Sequence, residues 1–307
     1  MAARTYDFVQ LDVFTQTPLA GNPLAIFSDA HGLNDTEMQA LAREMNLSET
    51  TFIFPREAAT EAREGKKVRI FTVEAELPFA GHPTLGTALY LYASESNQNR
   101  PAEITLDLKA GKIPVHFTPN SANAGHERVD GQVFGEMRQR DPEFGTPLPR
   151  KDVARVIGFA TDEIHSEWPI QAVSTGLTFT IVPFRNRQTL SDLKFSYIQA
   201  ADFLKETGAN FFYFLCPERR EGRLEARARM FFYGGEDPAT GSAAGCAASW
   251  MVQHGVAKND EQVVIRQGIE CRRPSEMHVR ATREGERVTN VRVGGYAVEI
   301  LRGTVVL

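Results

Sequence analysis

The sequence predicts a mixed α/β protein built from two similar, pseudo-symmetric domains. Three observations predict it. Period-two apolar runs and period-3.6 runs alternate along the chain, so strands and helices are interleaved. The 307 residues exceed what one average domain holds. And one segment repeats: Val68–Leu91 aligns without a gap on Ala228–Met251. In that register Arg69 meets Arg229, Phe71 meets Phe231, Glu76 meets Glu236, Pro78 meets Pro238, Gly81 meets Gly241 and Ala88 meets Ala248. Upstream, Thr51–Pro55 resembles Tyr213–Pro217. Each copy reads as strand, acidic-proline loop, glycine and small-residue helix, and two such domains would leave a cleft suited to a small molecule.

The elements follow in order. Phe8–Phe14 alternates apolar and other residues and reads as a strand. Gly21-Asn22-Pro23 is a turn before the apolar run Leu24–Phe27. Asn34 with Glu37 three residues later forms a capping-box signal, and Met38, Leu41, Ala42 and Met45 make one helical face ending near Asn46. Thr50–Phe54 is a strand closed by Pro55; the charged stretch Arg56–Lys67 is expected as a solvated loop or hairpin; Val68–Val73 is a strand. After Gly81-His82-Pro83, Thr84–Tyr92 reads as a small-residue helix with proline in its first turn.

Asn120–Gly131 is polar and glycine-containing, and Pro142–Pro149 carries three prolines, so the domain boundary is expected in or between them. Beyond it, strands are expected near Gln171–Val173, Thr178–Val182, Phe211–Leu215 and Arg227–Phe232, and helices near Lys151–Ile157, Ala200–Lys205 and Ser242–Gln253. Gly294-Gly295 and Ala297–Leu307 read as terminal strands with a turn at Gly303. The expected domains are 1–125, completed by the strand 297–307, and 126–296.

Charge excludes some functions. With 34 basic and 39 acidic residues, the net charge is −5, which argues against a nucleic-acid binder or a polybasic membrane anchor. Three isolated cysteines, Cys216, Cys246 and Cys271, argue against a disulfide framework. The polar start lacks a signal peptide's apolar run, so a soluble cytoplasmic protein is expected. The seven histidines offer no i, i+4 metal pair, and there is no phosphate loop, no dinucleotide glycine motif and no Gly-x-Ser-x-Gly elbow. No metal is expected.

The residues that remain can carry acid–base chemistry. Glu49, after a helix end, is a solvated loop carboxylate or a half-buried general base. His82, just after a helix glycine, is a satisfied loop histidine or a neutral proton relay. Asp237 is a helix-dipole partner, or a carboxylate that orients substrate or shares a proton with Glu49 or His82. Gly81, and Gly241 with Ser242, open two small-residue helices whose N–H groups either are simply capped or bind an anion.

Five ordered segments together give a family resemblance: Leu11-Asp12-Val13-Phe14, Gly21-Asn22-Pro23, Asn46 to Phe52, Gly81-His82-Pro83-Thr84-Leu85-Gly86 and Glu236 to Ala243, with Val293-Gly294-Gly295 near the end. Over nearly its whole length the sequence resembles the phenazine-biosynthesis PhzF-like isomerases. The resemblance implies a diaminopimelate-epimerase-like fold, in which each of two α/β domains wraps a sheet around a central helix. It implies a homodimer without cofactor that isomerises dihydro-3-hydroxyanthranilate by moving a proton between carbons. Glu49 becomes the base and His82, Asp237 and Ser242 its partners. Related epimerases carry a cysteine in each half near the helix glycine; here those stretches read Phe79-Ala80-Gly81 and Pro238-Ala239-Thr240-Gly241, so two-thiol racemisation is not expected. The expected activity is proton transfer on a small unsaturated or amino carboxylic acid. Alternatives are a non-thiol epimerase or racemase of an amino-acid-like acid, or a catalytically silent metabolite binder.

Overall fold

The computed structural model describes residues 3–96, 100–118 and 133–307. They form a mixed α/β fold, rich in sheet, with seven α-helices among the described residues. The chain divides into two compact units, Met1–Met137 with Gly294–Leu307, and Arg138–Val293. The segment Asn120–Gly131 lies outside the described residues.

The first unit runs β1 (Thr5–Val13), β2 (Asn22–Phe27), α1 (Asp35–Met45), β3 (Glu49–Phe54), α2 (Ala58–Glu64), β4 (Lys66–Phe71), β5 (Glu76–Leu77), α3 (Gly81–Ser94), β6 (Glu103–Leu108), β7 (Gly111–Thr118) and β8 (Phe134–Arg138). The second runs β9 (Glu143–Leu148), α4 (Arg150–Ile157), β10 (Ile170–Ser174), β11 (Thr178–Pro183), α5 (Arg187–Asp192), α6 (Tyr197–Glu206), β12 (Phe211–Arg220), β13 (Arg223–Phe232), β14 (Gly235–Glu236), α7 (Gly241–Gln253), β15 (Val263–Gln267), β16 (Ser275–Glu284) and β17 (Arg287–Gly295). β18 (Ala297–Val306) then pairs antiparallel with β1 and completes the first unit.

The two units share one pairing scheme. In the first, β1 is antiparallel to β2, β2 parallel to β3, β3 antiparallel to β4, β4 parallel to β6 and β6 antiparallel to β7. In the second, β10, β11, β12, β13, β15 and β16 repeat that sequence of directions. The repeat in the sequence is therefore a repeat in structure. Its clearest trace is an ion pair: Arg69 donates to Glu76 at 2.7 and 2.9 Å, and Arg229 to Glu236 at 2.8 and 2.8 Å. Each guanidinium also lies over the phenylalanine two residues on, 5.1 Å from Phe71 and 4.8 Å from Phe231.

Each unit wraps its strands around one buried helix. α3 packs against β1, β2, β3, β6 and β7, and α7 against β10, β11, β12 and β16. A helix packed by strands on most sides has little room for an amphipathic face, and both are built mainly of small and apolar residues. Gly86 lets α3 approach the sheet, since a Cβ there would stand 2.7 Å from the side chains of Val13 and Leu24. α1 instead sits on the surface. Its Asn34–Glu37 capping box is reciprocal, and Asn46 ends it in the left-handed conformation.

Two expectations are corrected. Arg56–Lys67 is not a loop: Ala58–Glu64 is a helix with no buried residue. Its alanines, glutamates and arginine are strong helix formers, and the Arg56–Glu64 and Lys66–Glu61 ion pairs hold it, so helix forms without an apolar face. Gly303 is not a turn. It lies inside β18 opposite Phe8, where a Cβ would stand 2.9 Å from the Phe8 ring.

Candidate active site

In the first unit, Glu49 opens β3 and pairs with Leu24 of β2. His82 is the second residue of α3, and Asn22 opens β2. Because β2 and β3 run parallel, their starts lie side by side at one end of the sheet, where α3 also begins. The result is a compact trio. His82 Nε2 lies 3.6 Å from Glu49 Oε2, and His82 Nδ1 lies 3.3 Å from Asn22 Nδ2. The Pro23 carbonyl also accepts a hydrogen bond from the imidazole.

Burial sets the charge of this trio. His82 is 4% exposed, and burial pushes its pKa down to about 3, against a smaller opposing effect of the Pro23 hydrogen bond. The imidazole is therefore neutral near pH 7, and its contact with Glu49 is not an ion pair. Its Nε2 is buried with no hydrogen-bond partner among the described residues. The Glu49 side chain keeps 16% of its exposure, so it is sheltered yet reachable. The N-cap of α3, Ala80, offers no side-chain cap, and Pro83 in its first turn has no N–H.

In the second unit, Asp237 is almost fully buried in the loop between β14 and α7. Its backbone N–H donates to the Met230 carbonyl. Thr240, the N-cap of α7, does not cap the helix; its hydroxyl donates to Asp237 Oδ2 at 2.6 Å. Gly241 and Ser242 are the first two residues of α7. Ser242 is half-buried, and among the described residues its hydroxyl makes no hydrogen bond. Gln139 donates to the Gly241 carbonyl at 2.9 Å and is itself held by Thr175 at 2.7 Å. Gly245 makes room for it, since a Cβ there would overlap Gln139 Oε1.

Glu49 and His82 are thus brought together within the first unit, and Asp237, Gly241 and Ser242 within the second. Sequence reasoning missed Asn22 as the histidine's neighbour, although Asn22 stood in a quoted motif. It also missed Thr240 and Gln267, whose roles depend on contacts across 27 residues. The cysteines are elsewhere, and burial raises Cys216, Cys246 and Cys271 each to about 11, so they are not thiolates near pH 7.

Among the described residues no group of three or more histidine, cysteine and acidic side chains has the arrangement of a metal site. No helix among them is long and apolar enough to cross a membrane.

Known proteins agree with this architecture. The family model described as phenazine biosynthesis-like protein matches residues 11–303. A protein of Pseudomonas chlororaphis named trans-2,3-dihydro-3-hydroxyanthranilate isomerase is 36% identical over 306 residues, covering 98% of this chain and 100% of that protein. A phenazine biosynthesis protein of the PhzF family from Bacillus anthracis superposes with a TM-score of 0.83 at 26% identity, covering 99% of this chain and 100% of that one. A predicted epimerase from Pseudomonas aeruginosa superposes with a TM-score of 0.78 at 31% identity, covering 98% and 99%. The chain belongs to the phenazine biosynthesis-like (PhzF) family and is an enzyme of the isomerase class.

Proposed function

We propose that this isomerase moves a proton between carbons of a small unsaturated or amino carboxylic acid, with Glu49 as general acid and base. The observation that carries the reading is the neutral His82 imidazole 3.6 Å from the Glu49 carboxylate. A neutral imidazole does not hold the carboxylate in its ionised form as a charged neighbour would, which suits Glu49 to take a proton from carbon. Once Glu49 is protonated, the buried Nε2 edge of His82 holds its side chain in place while the proton is returned to a second carbon. His82 and Asp237 assist this transfer, and the amides and hydroxyl at Gly81, Gly241 and Ser242 bind the substrate's carboxylate and developing negative charge. Acid–base groups and oriented dipoles suffice for such a shift, so the proposal invokes no cofactor.

The named activity of the Pseudomonas chlororaphis relative makes trans-2,3-dihydro-3-hydroxyanthranilate the first substrate to test. We further propose a homodimer working in the cytoplasm. The decisive assay incubates the protein with that acid, and with a panel of small unsaturated and amino acids, following isomer ratio by chromatography. A new positional isomer supports the reading. A product that differs only in configuration at one carbon replaces it with epimerisation, and saturable binding without any conversion replaces it with a silent binder.

A further inference from the structure

Asp237 is held by a hydrogen-bond network whose donors and acceptors can be assigned without ambiguity. Gln267, the last residue of β15, is fully buried. Its Nε2 donates to the Asp237 carbonyl at 2.7 Å and to Thr240 Oγ1 at 2.9 Å. Its Oε1 accepts from the Tyr213 hydroxyl at 3.0 Å and from the Thr240 N–H at 3.3 Å. All four positions of the amide are used, and turning it over would aim N–H at the Thr240 N–H and oxygen at the Asp237 carbonyl. Because Thr240 Oγ1 receives a hydrogen from Gln267, its own single hydrogen goes to Asp237 Oδ2, 2.6 Å away. Oδ2 is therefore obliged to accept, and any proton carried by this carboxyl group sits on Oδ1.

The fold does not demand this arrangement. The first unit builds the same strand, loop and buried helix, and the repeat puts Leu77 where the second has Asp237 and Ala80 where it has Thr240. The paired strands place Leu108 where the second unit has Gln267, since Lys67 faces Asp107 as Arg227 faces Arg266. An apolar set does the structural job in one unit. A fully satisfied polar set replaces it in the unit that presents a carboxylate.

We propose that Thr240 and Gln267 are positioning residues for the isomerase reaction, which fix the Asp237 carboxyl group with Oδ2 as a permanent acceptor and Oδ1 as its only proton-carrying atom. The same bond withdraws the Thr240 hydroxyl from capping α7. The inference rests on the proposed use of Asp237, but its test does not need turnover.

The test is a pH titration of the full-length protein carrying 13C at the aspartate carboxyl carbons, with the Asp237 signal assigned by its loss in Asp237→Asn. Removing the hydroxyl donor in Thr240→Val takes away a bond that favours the carboxylate, so the Asp237 midpoint should rise by about 1 pH unit. Thr240→Ser should restore it. Thr240→Ala serves in place of the valine variant if that one does not fold. A midpoint unchanged or lowered by loss of the hydroxyl, or not restored by serine, overturns the inference. Full isomerase turnover in Asp237→Asn would instead overturn the part of the proposed function that employs Asp237, leaving the titration result standing.

Discussion

A buried neutral histidine makes a measurable demand on the folded state. His82 has a folded pKa of about 3 against an ordinary value of 6.5. Between those values the unfolded chain binds a proton that the folded chain refuses. Stability is thus intact above pH 6.5 and falls as pH drops toward 3, by about 1.4 kcal/mol per pH unit from this residue. His82→Gln abolishes the term, so between pH 7 and pH 4 the variant should lose about 3 kcal/mol less stability than wild type, read by urea unfolding. Parallel pH dependence of the two proteins would show that the imidazole is not held neutral. The residues of this trio were legible as types and not as partners. Glu49 and His82 stood out by position, one before a strand and one at a helix start. Their contact spans 33 residues of sequence, and only the parallel β2–β3 pairing with α3 beneath it brings them together.

Helices and strands declared themselves to different degrees. α1 could be read to its ends, because its capping box, its apolar face and its left-handed Asn46 are all local signals. α2 could not, since it buries nothing and its helix-forming residues look like any solvated charged stretch. The β6–β7 hairpin and the short β5 carried too little pattern to be placed. Gly303 misled for a different reason: it serves close packing against Phe8 inside a strand, and glycine marks turns more often. The repeated arginine–glutamate pair gives this scale its own prediction. Arg229 is buried, and it also donates to the carbonyls of Leu190, Ser191 and Leu193. Arg69 is more exposed, and its second partner is the exposed Asp35. Arg229→Met should therefore cost about 3–5 kcal/mol by orphaning a Glu236 side chain that is only 11% exposed, and Arg69→Met about 1 kcal/mol. Thermal or urea denaturation of both variants checks the ranking, and equal losses would contradict it.

For the molecule as a whole, the internal repeat was the most informative signal available before any coordinates. It survives because the two units share strand directions, an ion pair and a buried small-residue helix. What the repeat does not conserve is as telling. Glu49 of β3 corresponds by register to Phe211 of β12, since Leu24 faces Glu49 as Phe179 faces Phe211. His82 corresponds to Ser242, and Leu77 to Asp237. The common scaffold thus carries different chemistry in each unit: a carboxylate with a neutral imidazole in one, a carboxylate with a serine in the other. In the account proposed here the base of the proton shift is Glu49.

That assignment is tested most directly by solvent-deuterium incorporation. Wild type and Glu49→Gln are incubated in D2O with trans-2,3-dihydro-3-hydroxyanthranilate, or with whichever acid of the panel wild type converts, and product is analysed by mass spectrometry and NMR. The account predicts deuterium at the newly protonated carbon with wild type. It predicts a loss of at least about 100-fold in Glu49→Gln, with the fold intact by circular dichroism. Exchange at the wild-type rate in the glutamine variant would contradict it and move the base to another residue.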